Sequence, residues 1–319
     1  MIVTDYLKAD KNITWDYARQ CGVIYATIRL PDDESKFDIT DYTQWRTIAD
    51  RFANFGITPL VIEPIPNYLH DHIKIGDSKR DECIEKLISA FSIMDRLNIR
   101  TICFNFMAHI GWLRTSADLL ERGGAKVTGF DIRNFQADDF YISKEELWAN
   151  YEYFIKAIVP EAEKHGVTLA LHPDDPPVDQ LGKTSRIMTN VLNIEKAMDI
   201  AKSDNIGLTF CQATFYLMGE NLHDVIAKFA NKIKFIHFRN VTGSKYMFRE
   251  TFHDNGDLDM VDLLRTYVTH NIDVPIRVDH VPTMANERVK DKGYDALGRL
   301  FAIGYMRGII ECVSKISEL

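Results

Sequence analysis

The chain of 319 residues is 46% apolar and 26% charged, with a formal net charge of −8. This length and apolar share allow one large α/β barrel or two average domains, and exclude a chain too polar to bury a core. The acidic balance argues against a nucleic-acid partner, whose phosphates need a basic surface, and no apolar run approaches the roughly 20 residues that span a bilayer.

Five cysteines (Cys21, Cys83, Cys103, Cys211, Cys312) are scattered, odd in number and free of CxxC spacing. With an N-terminus lacking the basic-then-apolar layout of a signal peptide, they point to a reducing cytoplasm. In chain order, strands are expected at 2–7, 24–30, 58–64, 100–106, 168–173, 206–212, 233–240 and 274–280. Amphipathic helical stretches fall near 14–21, 42–55, 79–97, 144–165, 191–203, 221–230, 258–270 and 294–313. Asp41 precedes the second helix, and Ser143 with Glu146 makes a capping-box pattern before the fourth. In the last helix, Gly304 and Gly308 suggest close packing on the body of the protein. Eight strands alternating with eight helices is the count of a (β/α)₈ TIM barrel, here one domain over 1–319. A doubly wound open sheet is the alternative. Two long segments, Met107 to about Tyr141 and Thr242–Asp257, read as βα loops at the C-terminal face, the usual place for lids and substrate loops.

Four strands end in a metal-capable side chain: His172, Cys211, His237 and Asp279. One donor from each of four parallel strands would converge at the C-terminal mouth of a barrel. A thiolate, two imidazoles and a carboxylate suit a divalent ion. Softness alone favours Zn²⁺, and Mn²⁺, Fe²⁺ or Co²⁺ fits where substrate adds oxygen ligands. Each residue alone also reads as core or as a turn cap; four polar groups at equivalent strand ends would be expensive as plain core. His280 follows Asp279 and suits acid–base work beside a metal. Tyr294 stands before the last helix within reach of the site. Arg239 faces the same side as His237 and can clamp a carboxylate, with a rim salt bridge as the bland reading. Arg114 and Arg277 also lie near the site in sequence. Asp174 or Asp175 would support the ligands, and Glu63 is a further candidate without a visible partner.

Several motifs resemble the mannonate dehydratase family of sugar-acid enzymes. They are Leu-His-Pro-Asp-Asp-Pro-Pro (171–177), Ser-Arg-Ile-Met-Thr-Asn (185–190), Leu-Thr-Phe-Cys-Gln (208–212) and Ile-His-Phe-Arg-Asn-Val (236–241). Phe-Arg-Glu-Thr-Phe-His-Asp-Asn-Gly-Asp-Leu-Asp-Met (248–260), Asp-His-Val-Pro-Thr-Met (279–284) and Gly-Tyr-Asp-Ala-Leu-Gly-Arg-Leu (293–300) extend the match. Phe-Asn-Phe-Met (104–107) with Trp112, Arg114 and Thr115 looks like the family's substrate loop. The resemblance implies a xylose-isomerase-like barrel that dehydrates D-mannonate to 2-keto-3-deoxy-D-gluconate in hexuronate catabolism. It implies a divalent ion, Mn²⁺ first, with Fe²⁺, Co²⁺ or Zn²⁺ as alternatives, and a homo-oligomer of two or more chains. Carried over by motif, His172, Cys211, His237 and Asp279 hold the metal, His280 and Tyr294 are catalytic, and Arg239, Asn105 and Arg114 contact the sugar acid. A dehydratase of another aldonate, or a metal-dependent isomerase or epimerase on the same barrel, stays open. A non-catalytic sugar-acid sensor is disfavoured by the intact donor set, and a DNA-repair nuclease by charge.

Overall fold

Short apolar runs bounded by turn residues form parallel strands buried on both faces, which is why they read as near-continuous hydrophobic segments. The computed structural model describes residues 1–287 and 291–317. In chain order its elements are β1 (Ile2–Lys8), α1 (Ile13–Gln20), β2 (Tyr25–Arg29), α2 (Tyr42–Asn54), β3 (Thr58–Ile62), α3 (Asn67–Ile75), α4 (Arg80–Arg96) and β4 (Thr101–Asn105). An excursion with β5 (Ser116–Leu120) and β6 (Lys126–Asp131) leads to α5 (Lys144–Lys164), β7 (Thr168–His172), a short hairpin of β8 (Gln180–Leu181) and β9 (Thr184–Ser185), and α6 (Val191–Ala201). Then follow β10 (Ile206–Cys211), α7 (Gln212–Leu217), α8 (Leu222–Phe229), β11 (Ile233–Phe238), β12 (Val241–Ser244), β13 (Met247–Glu250), α9 (Met260–Thr269), β14 (Pro275–Val278) and α10 (Ala296–Ser317).

Strands β1, β2, β3, β4, β7, β10, β11 and β14 close into a barrel, with β1 paired in parallel to both β2 and β14. These are the eight expected strands, and closure excludes the open sheet. Inside the barrel, Val61, Cys103, Ala170 and Phe235 form a small apolar plug. Beside it, threonines bond to one another and to the strands: Thr4 Oγ1 lies 2.9 Å from Thr27 Oγ1, and Thr209 donates to the Ala170 carbonyl at 3.1 Å. The larger core lies between barrel and helices, where Trp15, Phe52, Phe91 and Phe154 are fully buried. The helix entries follow their local chemistry. Asp41 accepts from the Thr43 and Gln44 amides, and Ser143 with Glu146 makes the full capping box.

Two features depart from the sequence reading. The long segments after β4 and β11 are not irregular loops; they pair into a four-stranded antiparallel sheet of order β12-β13-β6-β5. This sheet tolerates no side chain at Gly243, at φ +119°, where a Cβ would meet the Met247 carbonyl at 2.4 Å. The second departure corrects the reading of α10: Gly304 and Gly308 are exposed, with no atom outside the helix's own backbone within 4 Å of where a Cβ would stand. They do not bring α10 onto the barrel; Ala302, Ile303, Met306 and Ile309 do.

Candidate functional site

Barrel register brings the polar strand ends to one level. Cys211 pairs with His237, His237 with Arg277, and Asn105 with His172. Above them opens a cavity of about 430 Å³, walled by His172, His237, Asp279, His280, Tyr294, Glu63, Asn105 and Trp112, and also by Arg29, Asn67 and Lys74.

Donor atoms of His172, Cys211 and His237 all lie within 4.8 Å of one another, and so do those of Glu63, Cys103 and His237. Asp279, the fourth donor expected from sequence, is in neither group, although its Oδ2 lies 3.5 Å from His237 Nδ1. Several features fit the first group to a divalent ion. His172 Nδ1 donates to the Pro173 carbonyl at 2.6 Å, which leaves its Nε2 as the free donor. Both ring nitrogens of His237 are buried without a hydrogen bond, although Glu63 Oε1 lies 3.0 Å from Nε2; the carboxylates crowd the ring without aligning to it. Burial and Arg277 push the His237 pKa down, but Glu63 and Asp279 outweigh them and hold it well above its ordinary value, so the field at this point calls for positive charge. The two cysteines differ in the same way. Burial raises both thiols; at Cys103, beside Glu63, it prevails, at about 11. At Cys211 the Arg239 guanidinium and the two imidazoles override it and favour the thiolate, the ligating form.

Arg277 is the fixed cation of the mouth. It binds Glu63 through Nε at 2.7 Å and Nη2 at 2.9 Å, and Asp279 through Nη1 at 2.8 Å. The partner of Glu63, invisible in sequence, is therefore a residue 214 positions away. Against burial, Arg277 and its neighbours keep both carboxyls below the usual range.

His280 stands at φ +41°, a strained backbone for a residue with a Cβ, two residues past the end of β14. Its Nδ1 lies 3.1 Å from Glu250 Oε1 and its Nε2 3.1 Å from the Tyr294 hydroxyl. Tyr294 also reaches Asp279 Oδ1 at 3.1 Å. Burial and then Asp279 raise the phenol well above its ordinary pKa, so it keeps its proton. One phenolic proton thus faces two acceptors.

Arg114 and Arg239, expected to contact the sugar acid, are not on the cavity wall. Both are buried in a cluster of two arginines and two carboxylates. Arg114 grips Asp175 through Nη1 at 2.8 Å and Nη2 at 2.9 Å, and Glu250 through Nη2 at 2.6 Å. Arg239 reaches Asp175 at 2.6 Å and Glu250 through Nε at 2.8 Å. Protein carboxylates occupy the forks reserved for substrate in the sequence reading. Asp175 belongs to this cluster, whereas Asp174 accepts from the Ile187 and Met188 amides and holds a loop. Asn105 does line the cavity, its side-chain oxygen accepting from the Met107 amide at 3.1 Å. Trp112, read in sequence as part of a substrate loop, lines the cavity, whereas sequence reasoning gave no role to Glu250 or Lys74. Glu250 sits inside a quoted motif, but no pattern there marks it as a partner of His280.

Fold and cavity together define a (β/α)₈-barrel enzyme whose chemistry lies at the C-terminal mouth. A profile of the D-mannonate dehydratase (UxuA) family matches residues 3–141 and 135–319, and the chain belongs to that family. The mannonate dehydratase of Streptococcus equi subsp. zooepidemicus is 34% identical, covering 80% of this chain and 79% of its own. The crystal structure of mannonate dehydratase from Streptococcus suis serotype 2 superposes with a TM-score of 0.88 at 26% identity, over 99% of this chain and 96% of that one. A xylose isomerase domain protein from Planctomyces limnophilus, 12% identical with a TM-score of 0.64 over 100% and 99% of the two chains, shares the fold. No helix among the described residues is long and apolar enough to cross a membrane.

Proposed function

We propose that this chain dehydrates D-mannonate to 2-keto-3-deoxy-D-gluconate and water. The observation that carries the reading is the Tyr294 hydroxyl, 3.1 Å from both His280 Nε2 and Asp279 Oδ1 on the wall that also presents His172, His237 and Asp279. The family relatives are named for this reaction. His172, Cys211, His237 and Asp279 hold a divalent ion, Mn²⁺ in the first instance. When bound, that ion acts as a Lewis acid toward the carboxylate end of the substrate.

The difficult step is removal of the proton on C2, next to a carboxylate. Glu250 accepts the Nδ1 proton of His280, so the lone pair on Nε2 is the base that takes the C2 proton. The C3–O3 bond breaks with its electron pair going to O3, and Tyr294, still protonated, supplies the proton that makes water. The enol left behind tautomerises to the 2-keto acid. His280 then returns its proton to the phenolate across their 3.1 Å contact, which restores both groups. This order makes His280 the base and Tyr294 the acid. Arg29 and Lys74, the latter paired with Asp71, also line the cavity and would meet the rest of the sugar-acid chain. Five free cysteines suit the reducing cytoplasm in which such catabolism runs.

The test strips the protein with chelator and assays D-mannonate conversion with and without Mn²⁺. Metal-restored formation of the 2-keto-3-deoxy acid is expected. His280→Asn and Tyr294→Phe should each lower kcat by about 100-fold or more while retaining metal. A product of unchanged mass would instead make the enzyme an isomerase. Near-normal turnover in His280→Asn would sink the assignment of the base.

A further inference from the structure

Glu250 lies off the cavity wall, yet the orientation of His280 depends on it. Their contact, Oε1 to Nδ1 at 3.1 Å, is buried, with side-chain exposures of 1% and 3%. An ionised carboxylate only accepts, so Nδ1 carries a proton, and with the ring neutral Nε2 turns its lone pair toward Tyr294. Arg114 and Arg239, held in turn by Asp175, clamp the carboxylate in place. Glu250 reaches this point from β13, which pairs with both β12 and β6. The ring has little room to move otherwise. Gly293, at φ +77°, packs so closely that a Cβ there would stand 3.3 Å from His280 Cδ2, and the Trp112 ring centroid lies 4.9 Å away.

We infer that Glu250 is a positioning residue for the dehydration: delivered by the antiparallel sheet, it fixes the Nδ1–H tautomer and the ring orientation of His280, so that Nε2 faces the substrate. The inference rests on the reading of His280 as the group that moves the C2 proton. Through Glu250, the sheet above the barrel becomes part of the proton-transfer apparatus without touching the reacting atoms.

The experiment compares Glu250→Leu, which removes the acceptor, with Glu250→Gln, which keeps a neutral one, in the Mn²⁺-loaded enzyme. Glu250→Leu should lower kcat by about 100-fold with KM changed less than about threefold, and Glu250→Gln should recover at least about tenfold of that loss. In a His280→Asn background, Glu250→Leu should cost less than about threefold more, because its effect passes through the missing ring. Equal losses for Leu and Gln, or full additivity with His280→Asn, would overturn the inference and leave Glu250 as a counter-charge for the arginines. If His280→Asn is itself nearly as active as the native enzyme, the underlying reading of His280 fails instead. Should Glu250→Leu not fold, or His280→Asn fall below detection, the native protein decides. Its ¹⁵N spectrum at mildly alkaline pH, with His280 assigned by difference from His280→Asn, should show the proton on Nδ1. A proton on Nε2 overturns the inference.

Discussion

At the scale of single residues, the candidate metal donors were legible because each ends an apolar strand, where a polar side chain has no packing role. His172, Cys211 and His237 stand out in this way, and the structure brings their donor atoms together. The arginines were not legible in the same sense. A sequence cannot say whether the carboxylate met by Arg114 or Arg239 belongs to a ligand or to the chain, and here it belongs to Asp175 and Glu250. Nor can it pair Glu63 with Arg277 across the barrel. The structure also separates two overlapping donor groups, since Cys211 is driven toward the thiolate and Cys103 away from it. Cys211→Ser should therefore weaken Mn²⁺ binding at least about tenfold by calorimetric titration, whereas Cys103→Ser should leave it within about threefold. The opposite ranking would move the ion to Glu63, Cys103 and His237.

At the scale of elements, the barrel strands declared themselves by composition and the helices by period, but the antiparallel sheet did not. Its strands are short and partly polar, as in Ser-Ala-Asp-Leu-Leu and Val-Thr-Gly-Ser, and the pairing that joins its two hairpins, β6 with β13, spans more than a hundred residues. Helix α3 escaped notice because only four residues separate it from α4. The sheet's glycines give it a test of its own. Gly243→Val forces a side chain into the Met247 carbonyl and Phe248 Cα, which should open the β12–β13 hairpin and withdraw Glu250. A fall in kcat of about tenfold or more is expected, with the far-ultraviolet circular dichroism of the barrel intact. Unchanged kcat would detach the sheet from catalysis. Gly304→Ala is the contrasting case. That glycine is exposed on α10 with open space beyond it, so alanine should stabilise the protein by about 0.5–1 kcal/mol in urea unfolding. A destabilised variant would restore the close-packing role first read from its spacing.

At the scale of the whole molecule, closing a barrel around ionised groups makes stability depend on pH in a direction that can be worked out. Burial outweighs the hydrogen bond to the Phe238 carbonyl and lowers the His253 pKa from 6.5 to about 4. The folded state then binds fewer protons than the unfolded one, so stability falls as pH drops from about 6.5 toward 4, by about 3 kcal/mol for this group. His70, buried with both ring nitrogens unpartnered, adds to the same fall. A second window opens lower. Burial raises Glu250, but Arg239 and Arg114 outweigh it and depress its pKa from 4.5 to about 2. Its stabilising contribution is complete above about 4.5 and is lost as pH falls through about 2, again on the order of 3 kcal/mol. The urea midpoint of chelator-treated protein should therefore decline in two stages rather than one. His253→Gln keeps a donor for the Phe238 carbonyl but cannot titrate, so it should shrink the upper stage to the part carried by His70 and leave the lower one. Parallel curves for the two proteins would show that His253 carries no such linkage, and a flat midpoint below about pH 4.5 would show the same for the arginine-clamped carboxylate.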